Sequence, residues 1–205
     1  MYRVLALLIT YVFQPLLMPT LVVALLLFKG IQPPQFNTTT NLILVFLVFL
    51  TTFIIPALSL ITLKLTKNIS SLHMREREDR LLPFGMVSAF FLLSTYLFST
   101  KQELDPLIVL AMFLVTACII LLTVLTMFTK ISAHMMGVSG LLGFTLFVLI
   151  KQPESQLLPL FLCALVLTGA VGSSRLYLNA HTPKEILWGF LVGFSVCFTG
   201  MWYWM

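Results

Sequence analysis

The chain has 205 residues, 60% of them hydrophobic and only 9% charged. Soluble domains carry roughly 25% charged residues, so this composition excludes a soluble globular fold and indicates an integral membrane protein. The formal net charge of +5 bears on loop orientation and on anionic lipid. Basic and aromatic residues are not interleaved in the way that binds single strands, and no nucleic-acid partner is expected.

A helix needs roughly 17–25 mostly apolar residues to cross a bilayer. Seven stretches qualify: 4–28, 41–63, 82–99, 106–129, 131–150, 156–172 and 184–204. The first follows Met-Tyr-Arg, shows no small-residue cleavage site and is expected to be kept as a span. Pro15, Pro19 and Pro56 fall inside the first two spans, where neighbours can satisfy the freed backbone. Cys118, Cys163 and Cys197 each lie within an apolar run and are expected to be small buried hydrophobes. The last span ends in Trp202, Tyr203 and Trp204, an interfacial anchor. The expected architecture is an all-α integral membrane protein, a bundle of six to seven transmembrane helices forming a single domain over residues 1–205.

Three polar clusters interrupt the apolar pattern. His73 to Phe84 follows the second span, Lys130 to Gly137 the fourth, and Ser173 to Glu185 the sixth. Two crossings separate each cluster from the next, so all three emerge on one membrane face. Each also opens a helix. Pro83 suits the first turn of span three, and Ser132 suits the N-cap of span five. Thr182, Pro183 and Glu185 read as N-cap, first-turn proline and third-position acid of span seven. Helix N-termini offer unsatisfied N–H groups and partial positive charge, which suits a phosphate, and Arg75, Arg77, Arg80, Lys130 and Arg175 stand near them.

His134 and His181 fall at the same depth, where one could attack and the other give a proton. A histidine nucleophile needs a neighbour to fix its tautomer, usually an acid. Plainer readings stand beside these. An arginine-rich loop is commonly a topology signal. Glu185 could serve only to complete a capping box with Thr182, and Ser132 could merely cap.

The spacing Ser174-Arg175, five residues, His181, three residues, Glu185 resembles the third signature of the type 2 phosphatidic acid phosphatase superfamily, SR-x5-H-x3-D. Ile131-Ser132-Ala133-His134 resembles its second signature, PSGH, with Ile and Ala standing where Pro and Gly are usual. The first signature, K-x6-RP, is echoed by Arg75 and Pro83, with Leu82 in place of its arginine and Arg80 as the nearest substitute.

The resemblance implies that His181 attacks phosphorus to give a phosphohistidine. Glu185 would orient it, and His134 would protonate the leaving group. Arg175, with Arg75 or Arg80, would hold the phosphate oxygens, with Ser174 beside it in the signature and help from Ser132 and the N–H of Ala133. It implies no metal and no other cofactor. The partners expected are the lipid bilayer and a membrane lipid phosphate or isoprenyl diphosphate. The alternative is a non-hydrolytic relative that binds or moves a lipid phosphate. The expected location is a bacterial inner membrane. The cluster-bearing face carries nine basic residues against Lys29, Lys101 and Lys151 opposite, so it is expected on the cytoplasmic side.

Overall fold

The structure is a computed structural model that describes residues 2–28, 37–69, 78–101, 103–151 and 157–204. Among these residues every regular element is helical. The elements are α1 (Tyr2–Val12), α2 (Met18–Phe28), α3 (Thr38–Phe49), α4 (Ile55–Leu65), α5 (Glu78–Ser99), α6 (Pro106–Thr126), α7 (Ala133–Lys151), α8 (Leu158–Tyr177) and α9 (Pro183–Trp204). Among the described residues six helices are long and apolar enough to cross a membrane, counting Thr38–Leu65 as one. The bent pair Tyr2–Val12 and Pro15–Phe28 makes a seventh if it is a single span. The protein is an all-α integral membrane protein.

Two of the expected spans differ from straight helices, and proline is the cause in both. The first breaks after Val12. Gln14 is extended at φ −76°, ψ 150°, and a short 3₁₀ turn, Pro15–Leu17, follows before α2. A proline clashes with a helical residue before it and has no N–H to return, so α1 stops there. The second span is continuous but widens into a π turn at Leu50–Ile54, where the Ile55 N–H reaches back to the Leu50 carbonyl. Pro56 cannot donate to the Thr52 carbonyl, and the helix takes up the misfit one turn earlier.

The third span also starts earlier than expected. α5 begins at Glu78, which places Pro83 inside the helix and not in its first turn. The sixth runs past residue 172 to Tyr177, so Ser174 and Arg175 are the last turn of α8 and not a connection. Cys118 and Cys197 are buried as expected, whereas Cys163 on α8 is exposed, a position that faces lipid or solvent and not packed neighbours.

The helices form two compact units. One contains residues 19–28 and 32–130. Within it, hydroxyl pairs stitch α5 to α6. Ser88 and Thr123 lie 2.9 Å apart, and Thr95 and Thr116 lie 2.7 Å apart. Apolar side chains gain nothing by leaving lipid for each other, so such hydrogen bonds and close packing hold membrane helices together.

The other unit contains the described residues of 1–18 and 131–205. Here α7 lies against both α8 and α9, and α1 packs on α8. Glycines set the α7–α9 distance. A Cβ on Gly189 would come 2.7 Å from the Ser132 carbonyl, and one on Gly193 would collide with the Met136 carbonyl. Met18, Met135, Val138 and Val171 form the core, with Ile9, Phe13, Ile186 and Phe190 packed on it. At the far end of α7 the Lys151 ammonium sits 4.8 Å from the centre of the Trp202 ring and 5.9 Å from that of Phe147.

Candidate active site

Three helix ends of this second unit meet. α8 closes with a Schellman turn: Asn179 adopts a left-handed φ of 50°. The Asn179 N–H donates to the Leu176 carbonyl at 2.9 Å, and the Ala180 N–H donates to the Arg175 carbonyl at 3.1 Å. Asparagine tolerates this conformation better than other non-glycine residues. The turn reverses the chain and delivers His181 directly before α9.

Thr182 and Glu185 then form a reciprocal capping box. The Glu185 N–H donates to Thr182 Oγ1, and the Thr182 N–H donates to Glu185 Oε2, each at 3.4 Å. The same Oε2 lies 2.6 Å from Nδ1 of His181. One carboxylate oxygen therefore serves both the helix and the imidazole. The His181 side chain is 3% exposed and that of Glu185 18%, so water competes little for the bond. A carboxylate can only accept, so Nδ1 carries the proton and the lone pair lies on Nε2, the form a nucleophile requires.

Ser132 ties α7 to this end. Its N–H donates to the Glu185 carbonyl at 3.3 Å. Its hydroxyl accepts from the Met135 N–H at 3.4 Å, making it the N-cap of α7. Ser132 is completely buried. Ala133 and His134 are the first two residues of α7, so the N-termini of α7 and α9 lie side by side with their partial positive charges adjacent. Gly172 of α8 faces Met135 of α7 and Ile186 of α9, where a Cβ would make ordinary contacts of 3.6 Å to Met135 Sδ and 3.9 Å to Ile186 Cγ2.

His134 is anchored differently. Its Nε2 lies 3.2 Å from the backbone carbonyl of Thr10 in α1. Ser174 is buried and Arg175 half-buried in the last turn of α8, which the Schellman turn links to His181. Arg80 is buried in the first turns of α5, within the other unit. Arg75 and Arg77 lie outside the described residues. The two glycines that set the α7–α9 approach and the Thr10 carbonyl were not among the sequence candidates. Gly189 and Gly193 carry a legible signal, a G-x-x-x-G spacing. The Thr10 contact is made by backbone and leaves no mark at its own position. Among the described residues no three His, Cys, Asp or Glu side chains gather where they could share a metal ion.

No curated protein and no solved structure matches the chain. The model of the PAP2 superfamily matches residues 126–205. That stretch holds both histidines of the site, Arg175, Glu185 and Ser132, the residues on which the resemblance to the second and third signatures rests. The likeness to the PAP2 superfamily thus covers residues 126–205.

Proposed function

We propose that the protein is a membrane-embedded phosphatase that hydrolyses a lipid phosphate or an isoprenyl diphosphate through a phosphohistidine on His181. The observation that carries this reading is the 2.6 Å contact between His181 Nδ1 and Glu185 Oε2, made by a buried imidazole at the N-terminus of a helix. It fixes the tautomer that leaves Nε2 nucleophilic, and it compensates the positive charge that grows on the ring during attack.

In the first half-reaction Nε2 of His181 forms a bond to phosphorus, and the bond from phosphorus to the leaving oxygen breaks. His134 gives that oxygen a proton. In the second half-reaction His134 takes a proton from water, the water oxygen bonds to phosphorus, and the N–P bond breaks to release phosphate. Arg175 holds the non-bridging oxygens. The N–H of Ala133 and the region of Ser132 and Ser174 add dipoles of the right sign. The site opens at the membrane edge, so a lipid presents its head group without leaving the bilayer, and the charge bias of the loops puts that edge in the cytoplasm.

The test uses full-length protein in detergent with phosphatidate and, separately, an isoprenyl diphosphate. Inorganic phosphate should be released, and ³²P from labelled substrate should be trapped in acid-labile, base-stable form. His181→Asn should abolish both. Binding of the lipid without phosphate release would overturn the reading in favour of a non-hydrolytic relative.

A further inference from the structure

From sequence, the prolines of the first span read as tolerated irregularities. Their position relative to His134 suggests otherwise. Along α1 the Phe13 N–H still donates to the Ile9 carbonyl at 3.0 Å. One residue on, the chain leaves the helix, Gln14 being extended ahead of Pro15. In an unbroken helix the Thr10 carbonyl would accept from the N–H of Gln14. Here the imidazole of His134 reaches it instead, at 3.2 Å across 124 residues of sequence. Thr10 is buried at 9% exposure, so its carbonyl has little water to turn to.

We propose that the break at Gln14–Pro15 is part of the catalytic apparatus: it releases the Thr10 carbonyl to hold Nε2–H of His134, which makes Nδ1 the atom through which His134 exchanges its proton. A carbonyl oxygen has no hydrogen to give, so the contact admits only a protonated Nε2 and removes one of the two neutral tautomers. The imidazolium donates Nε2–H to Thr10 and Nδ1–H to the leaving oxygen. After transfer the neutral ring keeps its proton on Nε2 and has its lone pair on Nδ1, ready to accept from water. The two histidines are thus set in opposite senses. His181 is protonated on Nδ1 by its bond to Glu185 and attacks through Nε2; His134 is protonated on Nε2 and works through Nδ1. Thr10 and Pro15 are positioning residues that act through His134, and their role rests on the phosphatase reading above.

Two measurements test it. The first is independent of turnover: the ¹⁵N shifts of His134 in full-length protein in detergent, assigned by comparison with His134→Gln, at a pH where the ring is neutral. The expected pattern is a protonated Nε2 and a bare Nδ1; a protonated Nδ1 overturns the proposal. The second is Pro15→Ala, which restores an N–H and lets Gln14 turn helical and recapture the Thr10 carbonyl. With phosphatidate, whose alkoxide leaving group needs a proton, kcat/KM should fall at least ~10-fold, a part of the ~10²–10⁴-fold that general acid catalysis supplies. With p-nitrophenyl phosphate, whose leaving group needs none, kcat/KM, which does not contain the later attack of water, should stay within ~3-fold by the same reasoning, while kcat falls because His134 no longer takes the proton of that water. Equal losses of kcat/KM on both substrates, or no loss on either, overturn the proposal. If the parent protein hydrolyses neither substrate, the phosphatase reading fails and the proposed role falls with it; the ¹⁵N pattern still decides whether Thr10 sets the tautomer.

Discussion

Glu185 Oε2 lies 2.6 Å from His181 Nδ1 and 3.4 Å from the N–H of Thr182, so a single oxygen both orients the imidazole and closes the first turn of α9. The capping role and the orienting role, which compete in the sequence, coexist in the structure. They separate by charge. Glu185→Gln keeps the length and an acceptor for the N–H but loses the carboxylate. It should fold and insert as the parent does and lose at least ~100-fold in phosphatidate hydrolysis, as when the acid of a catalytic triad is neutralised. Glu185→Asp keeps the charge on a shorter arm and should retain far more activity than the glutamine variant. Parental turnover in Glu185→Gln would reduce Glu185 to a cap.

Thr182 offers the complementary test. Its Oγ1 accepts from the Glu185 N–H at 3.4 Å. Thr182→Ala should lower stability by about 0.5–2 kcal/mol, the usual worth of an N-cap. Turnover per folded molecule should stay within a few fold of the parent. Thermal unfolding in detergent, read beside kcat, checks both halves. A loss of turnover as large as that of Glu185→Gln would show that the cap and the chemistry are not separable.

The glycines predict a contrast in stability. A Cβ on Gly193 would meet the Met136 carbonyl, an atom of rigid helix backbone, and would force α7 and α9 apart. Gly193→Ala should therefore destabilise by about 1–3 kcal/mol, as overpacking does. A Cβ on Gly169 in α8 meets nothing within 4 Å. Gly169→Ala should be neutral or stabilise by up to about 1 kcal/mol through helix propensity. Equal effects of the two substitutions would contradict the close packing of α7 on α9.

Orientation is checked by labelling. In a cysteine-free background, single cysteines at Thr182 and Lys101 fall on opposite sides of the membrane by span counting, and both positions are exposed. With the site facing the cytoplasm, an impermeant maleimide applied to intact cells should label position 101 and spare position 182. The reverse pattern would mean that the basic residues gathered near the site serve phosphate and not topology.

The helices were legible because an apolar run of bilayer length has one solution, a helix that satisfies its own backbone. Their ends were less so. Ser174 and Arg175 belong to a helix that hydropathy alone closes at residue 172, because polar side chains in a last turn look like the loop that follows. Pro83 marked a helix start in the sequence and sits inside a helix in the structure, since the acidic and basic residues from Glu78 to Arg80 extend α5 beyond the apolar run. In the site, Ser132, His181 and Glu185 were legible by spacing, and the structure ties all three together through Glu185. The partner of His134 was not legible. It is a carbonyl, common to every residue, and only the fold selects which one.

The clasp of Lys151 by Trp202 and Phe147 at the end of α7 remote from the site acts as a depth stop. An ammonium over aromatic rings settles where water meets hydrocarbon. From there α7 runs 19 residues back to Ala133, about 28 Å at 1.5 Å per residue, against a hydrocarbon core of about 30 Å. The height of His181, and of the reaction proposed for it, is thus measured from the opposite leaflet. A thicker bilayer draws the histidine down among the acyl chains, and a thinner one lifts it clear of the head groups. Membrane thickness becomes a term in which lipids the site can reach.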